Sequence, residues 1–276
     1  MSYSAEISRA NPTCFVILVD RSLSMADPIG GGSRPMRKAD AVVQAINGLL
    51  SELAVKCAKD DGVRDYFHVA VIGYGAEITS GFHGPLSGRW LVPLSAVAAM
   101  PLRLDERVPA GAGAAGRPVR IPVWVEPVAF GDTPMQAALA QAYAVVREWL
   151  AVHPGCFPPI VLNITDGEST DGDPEPVANA LRELASADGP VLLFNLHLST
   201  DASDPLVFPA DGGRLPDAWA RKLCSMSSYL PAHMVEMARR HGLDVSQEGA
   251  KGFVFNADVS SVVQFLDIGT QVLNLR

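Results

Sequence analysis

The chain has 276 residues, 48% of them hydrophobic, enough to bury a sizeable core in one large α/β domain spanning 1–276. Thirty acidic against 22 basic side chains give a net charge of −8 with no Lys/Arg block, which argues against a nucleic-acid footprint. No run of about 18 apolar residues is present to span a membrane. Residues 1–13 lack a charged segment followed by an apolar one, so no secretory leader is expected. Cys14, Cys57, Cys156 and Cys224 are widely spaced with no C-x-x-C pair, which favours buried free thiols in a reducing cytoplasm over disulfides or a zinc site.

Residues 15–19, Phe-Val-Ile-Leu-Val, are a short run rich in β-branched side chains, the pattern of a fully buried strand in a parallel sheet. Asp20, Ser22 and Ser24 follow at alternate positions. Alternate side chains of extended backbone share a face, so the carboxylate and two hydroxyls can converge above the strand's C-terminal end. Three hard oxygen donors there suit a hard divalent cation such as Mg²⁺. The competing reading gives the same groups turn and helix-cap hydrogen bonds only. A glycine-rich loop over 26–35 leads to a helix over 36–59, with Val42, Ile46, Leu49, Leu50 and Leu53 on its apolar face. Residues 66–74 read as a second strand, and 76–80 as a short neighbour able to hairpin onto it around Gly75.

The stretch 82–128 is the least regular. Within it 94–100 fits a short helix or strand, and 119–128 alternates as a strand. Residues 111–116 formally match G-x-G-x-x-G. No apolar strand runs into them, and Pro118 with β-rich sequence follows where a helix should start, so they read as a loop and not a dinucleotide fingerprint.

Residues 130–135, Phe-Gly-Asp-Thr-Pro-Met, introduce a helix over 136–150 with Ala138, Leu139, Ala142, Val145, Val146 and Trp149 at helical spacing. Pro134 fits the first helical position and Thr133 its N-cap, with the hydroxyl open to the backbone or to a metal. Residues 160–169, Ile-Val-Leu-Asn-Ile-Thr-Asp-Gly-Glu-Ser, repeat the buried-strand pattern and end in Asp166, at the carboxyl edge where open α/β sheets hold ligands. Beyond lie a helix over 176–187, a buried strand over 191–198, helical sequence over 217–241 broken near Pro231, a short strand over 252–256 and a closing helix over 259–275. Strands alternating with helices argue for a parallel-sheet α/β fold. The six histidines are scattered, none at ligand spacing from an acid or a cysteine.

Together these segments resemble the von Willebrand factor A family and its metal-ion-dependent adhesion site, Asp-x-Ser-x-Ser followed by a distant Thr and a distant Asp. The matching residues are Asp20, Ser22 and Ser24, then Thr133, then Asp166. The resemblance runs from about residue 12 to the C-terminus, with its specific residues in three short segments. It implies a three-layer Rossmann-like fold: a central, mostly parallel sheet, one short antiparallel edge strand and helices on both faces, with 82–128 as an irregular insertion. It also implies that these five residues hold one Mg²⁺ or Mn²⁺, some of them through water. An open coordination position would then accept an Asp or Glu carboxylate of a partner protein.

Among family members the chain looks most similar to compact intracellular bacterial proteins linked with tellurium resistance and stress response. That implies a part in a stress-response or signalling complex, with no enzymatic activity. Two other functions stay open. One is a metal-dependent phosphoester hydrolase, for which no positioned general base, G-x-S-x-G elbow or Walker loop is found. The other is a scaffold that binds through 82–128 beside an idle metal site.

Overall fold

All eight residues of the first strand, β1 (Thr13–Asp20), are buried, as an unbroken apolar run requires when a strand is covered on both faces. The computed structural model describes residues 3–29, 36–107, 118–199, 204–246 and 249–270. The 111–116 loop, most of the glycine-rich loop and the end of the 259–275 helix lie outside them. In chain order the main sheet continues with β2 (Phe67–Tyr74), β3 (Ile78–Ser80), β4 (Val92–Pro93), β5 (Ile160–Thr165), β6 (Leu192–Leu198), β7 (Leu206–Val207) and β8 (Phe253–Ala257). Across the sheet the order is β7-β8-β6-β5-β1-β2-β3, with β4 also on β2. Strands β8, β6, β5, β1 and β2 pair in parallel. The expected antiparallel edge is formed by β3 and β4, and the two-residue β7 runs antiparallel at the opposite edge.

The helices are α1 (Lys38–Lys56), α2 (Leu94–Ala99), α3 (Met135–Val152), α4 (Glu175–Glu183), α5 (Ala218–Met226), α6 (Ala232–Arg240) and α7 (Val259–Thr270). Strand periodicity sorts β1 onto two cores. Phe15, Ile17 and Val19 face α1, α6 and α7, while Cys14, Val16 and Leu18 face α3, α4 and α5. The result is the expected α/β arrangement, a mostly parallel sheet with helices on both faces. All four cysteines are buried and free. No helix of the described residues is long and apolar enough to cross a membrane.

Differences from the sequence expectation sit at element ends. Helix α1 stops at Lys56 because 57–63 fold back into a small hairpin, Ala58–Lys59 against Gly62–Val63. The 217–241 segment is broken near Pro231 as expected, into α5 and α6, with Pro231 as the N-cap of α6.

The 82–128 stretch holds more order than its composition suggests. After α2 it forms a hairpin outside the main sheet, Arg103–Arg107 with Val119–Val123. Its anchor is Asn47 on α1, which donates to Val125 O at 2.9 Å and accepts from the Trp124 and Val125 amides at 2.9 and 3.1 Å. Trp124 is buried and donates through Nε1 to Val97 O at 2.6 Å, which ties α2 to the same anchor.

Replacing Asn47 with Ala strands three buried backbone groups. We expect a loss of about 2–4 kcal/mol in urea unfolding. A loss below about 0.5 kcal/mol, the range of an ordinary surface substitution, would show that the segment is held by other means.

Candidate functional site

Asp20 closes β1 and is fully buried. The ladder carries on one residue, with Arg21 N donating to Tyr74 O at 2.7 Å. The chain then turns: Ser22 N donates to Asp20 Oδ1 at 2.8 Å, and a 3₁₀ turn, Leu23–Ala26, follows. A short Asp side chain that accepts from the amide two residues on is a stable local turn. It brings the Ser22 and Ser24 hydroxyls within 3.0 Å of each other, and Ser24 Oγ donates to Asp166 Oδ1 at 2.7 Å. Four of the five residues singled out in the sequence thus form one hydrogen-bonded chain.

Thr133 arrives on the loop before α3, which is threaded between the first loop and the β2–β3 turn. Phe130 N donates to Arg21 O, Leu23 N to Gly131 O, and Ala76 N to Phe130 O. Gly131 has φ +96°, and a Cβ there would lie 2.2 Å from Ala76 N, so only glycine fits this close approach. Thr133 is buried, and a Cβ on Gly167 would lie 3.7 Å from its hydroxyl oxygen. The hydroxyl therefore rests against the turn that follows Asp166, at the same edge of the sheet.

Thr133 is not the N-cap of α3. Pro134 occupies that position without a side-chain cap, and α3 begins at Met135. The first free amides, of Gln136 and Ala137, go to Asp171 Oδ1 and Oδ2 at 3.0 and 2.8 Å. A bidentate carboxylate satisfies two orphan donors and faces the positive end of the helix, which one hydroxyl cannot match. Thr133 bonds Thr170 through its backbone, so its hydroxyl is spared from capping.

Three contributors were not singled out in the sequence. Lys38, the first residue of α1, places Nζ 2.8 Å from Asp166 Oδ2, with side chains 6% and 0% exposed. Thr165 Oγ1 donates to Asp20 Oδ2 at 2.7 Å. Beneath them a buried polar ladder crosses the sheet. Tyr74 OH donates to Asn163 Oδ1 at 2.8 Å, Asn163 Nδ2 to Asn195 Oδ1 at 2.9 Å, and Asn195 Nδ2 to Ser227 Oγ at 2.9 Å. The two asparagines each stand between apolar neighbours in their strands, a signal the sequence did carry. Lys38 left a fainter one, since a cation in a first helical turn opposes the macrodipole.

Burial pushes the Asp20 carboxyl up to about 6, against the hydrogen bonds from Ser22 and Thr165, and the charge of Asp166 adds to the rise. Burial, then the Asp20 charge, also raises the Tyr74 phenol. Arg21 is lowered by burial, and its guanidinium meets neutral acceptors, Thr79 Oγ1 at 3.3 Å and Gly81 O at 3.2 Å. It lies over Gly73, where a Cβ would fall 2.3 Å from its Nε.

No group of three or more His, Cys, Asp or Glu stands together among the described residues. The donor set at this edge is two carboxylates and three hydroxyls, all hard oxygens. It fits Mg²⁺ or Mn²⁺ and not a soft or imidazole-seeking metal. The raised Asp20 carboxyl is consistent with that fit, because a nearby dication would reverse the penalty that burial imposes.

No family model and no curated protein matches the sequence. Among solved structures, a von Willebrand factor type A protein from Catenulispora acidiphila aligns over 94% of this chain and 42% of its own, at 14% identity and TM-score 0.45. Three N-terminal domains of the type V pili tip protein Mfa5 from Porphyromonas gingivalis align over 58% of this chain and 20% of theirs, at 14% identity and TM-score 0.32. The vWF domain of the same protein covers 58% of this chain and 39% of its own, at 14% identity and TM-score 0.29. The chain spans less than half the length of each. The fold assignment stands on the strand order and the two covered faces.

The raised Asp20 carboxyl fixes the sign of a pH effect in EDTA. Its contribution to stability is fully present below the ordinary carboxylate value of 3.8 and is lost as pH rises through about 6. Relative to Asp20→Asn, the wild type should lose about 2–3 kcal/mol in urea unfolding between the two ends of that window. Parallel pH profiles for the two proteins would contradict the assignment.

Proposed function

We propose that this chain is a von Willebrand factor A type interaction module and not an enzyme. Its carboxyl-edge cluster takes Mg²⁺ or Mn²⁺ and, through it, an Asp or Glu side chain of a partner protein. The supporting observation is the convergence itself. Asp20, Ser22, Ser24 and Asp166 are linked by hydrogen bonds of 2.7–3.0 Å, with the Thr133 hydroxyl against the Asp166 turn.

Asp20 and Asp166 supply the negative charge, and Ser22, Ser24 and Thr133 supply neutral hard donors. A dication held there offers an electrophilic position for a carboxylate oxygen. Ser22 and Thr165 fix the two oxygens of Asp20 from opposite sides. Leu23 and Phe130, 66% and 68% exposed, project from the loops that carry Ser22, Ser24 and Thr133. They offer the partner apolar contact beside the charged one. The serine hydroxyls engage each other and Asp166, not a histidine base, which favours binding over hydrolysis. Membership among compact bacterial proteins of stress-response or signalling complexes, acting in the cytoplasm, is part of this proposal.

Thr133→Ala tests it cleanly, because it deletes one hydroxyl and leaves the helix cap on Asp171. Affinity capture from native lysate should retain proteins in Mg²⁺ that are lost in EDTA, in Thr133→Ala and in Asp20→Ala. Circular dichroism should show each variant folded. Capture that ignores both the chelator and the substitutions would refute the role of the cluster.

A further inference from the structure

We infer that Lys38 is a tethered cation that competes with the divalent ion for Asp166, so that metal uptake drives its ammonium away. This rests on the reading of the cluster as a metal site. Both oxygens of Asp166 are engaged, Oδ1 by Ser24 at 2.7 Å and Oδ2 by Lys38 Nζ at 2.8 Å. With the Asp166 side chain fully buried, the ammonium keeps that carboxylate from being an uncompensated buried charge. A dication bound at Asp166 would repel an ammonium held 2.8 Å from the same carboxylate, strongly so in a poorly screened site.

The position of Lys38 is specific. It opens α1, where the helix end disfavours a cation. Its neighbour Arg37 instead makes an exposed pair with Asp40 at 2.7 Å on the same helix, the usual surface arrangement. The Lys38 backbone is tied to the loop that carries the serines: Lys38 N donates to Asp27 O, and Ile29 N to Met36 O. The entry of α1 and the end of the Ser22–Ser24 loop are thus joined by backbone hydrogen bonds. Asp166 can be compensated in two ways, by the chain's own lysine or by a divalent cation, and the two oppose one another.

The test is Mn²⁺ titration of the full chain, read by the electron paramagnetic resonance of free Mn²⁺, for the wild type, Lys38→Met, Lys38→Gln and Arg37→Met. Lys38→Met should bind Mn²⁺ at least about tenfold more tightly than wild type. Lys38→Gln, which retains a hydrogen-bond donor, should shift in the same direction. Arg37→Met removes the same formal charge from the surface and should change affinity by less than about twofold. In EDTA the Lys38 variants should melt earlier than wild type, and Mn²⁺ should raise their melting temperature by more. Unchanged or weaker Mn²⁺ binding in both folded Lys38 variants overturns this inference and leaves the metal site standing. No Mn²⁺ uptake by any of the four proteins overturns both.

Discussion

Two carboxylates buried at the carboxyl ends of adjacent parallel strands are the constraint on which this edge of the molecule is built. Asp20 ends β1, and Asp166 follows β5, its neighbour in register. Taking a carboxylate out of water is costly unless it is paired or hydrogen-bonded, and the two solve the problem differently. Asp20 relies on neutral donors from Ser22 and Thr165, and its affinity for a proton rises. Asp166 has a hydroxyl on one oxygen and an ammonium on the other. The serines connect the two, so a cation that enters must reorganise one shared network.

The site is fixed from below. The chain from Tyr74 through Asn163 and Asn195 to Ser227 runs across β2, β5 and β6 to the residue that follows α5. Each member is buried and each bond is made, the condition under which a polar network stiffens a core instead of weakening it. Gly131 and Gly73 supply matching clearance. One lets the Thr133 loop lie on Ala76, and the other admits the Arg21 side chain against β2.

Much of this was legible in the sequence because it is local and periodic. The apolar runs of β1 and β5 and the strand-terminal Asp166 could be read from local patterning, whereas Ser22 and Ser24 reach Asp166 through the turn and 3₁₀ helix that follow Asp20 and not through the extended backbone expected for them. What escaped is contributed across long separations. Lys38 meets Asp166 from 128 positions away, and Asp171 caps α3 from a loop 35 residues beyond Gln136. The local rule that made Thr133 a helix cap was sound for the segment alone and lost to a carboxylate that only the tertiary fold supplies. The order within 82–128 was hidden for the same reason, since Asn47 holds Trp124 from 77 residues away.

The most direct measurement is diffraction from crystals grown with Mn²⁺, recorded at the manganese absorption edge. The account predicts one anomalous peak among the oxygens of Asp20, Ser22, Ser24, Thr133 and Asp166, with the ammonium of Lys38 moved off Asp166. Crystals from millimolar Mn²⁺ with no peak at this edge and the Lys38–Asp166 pair intact would contradict it.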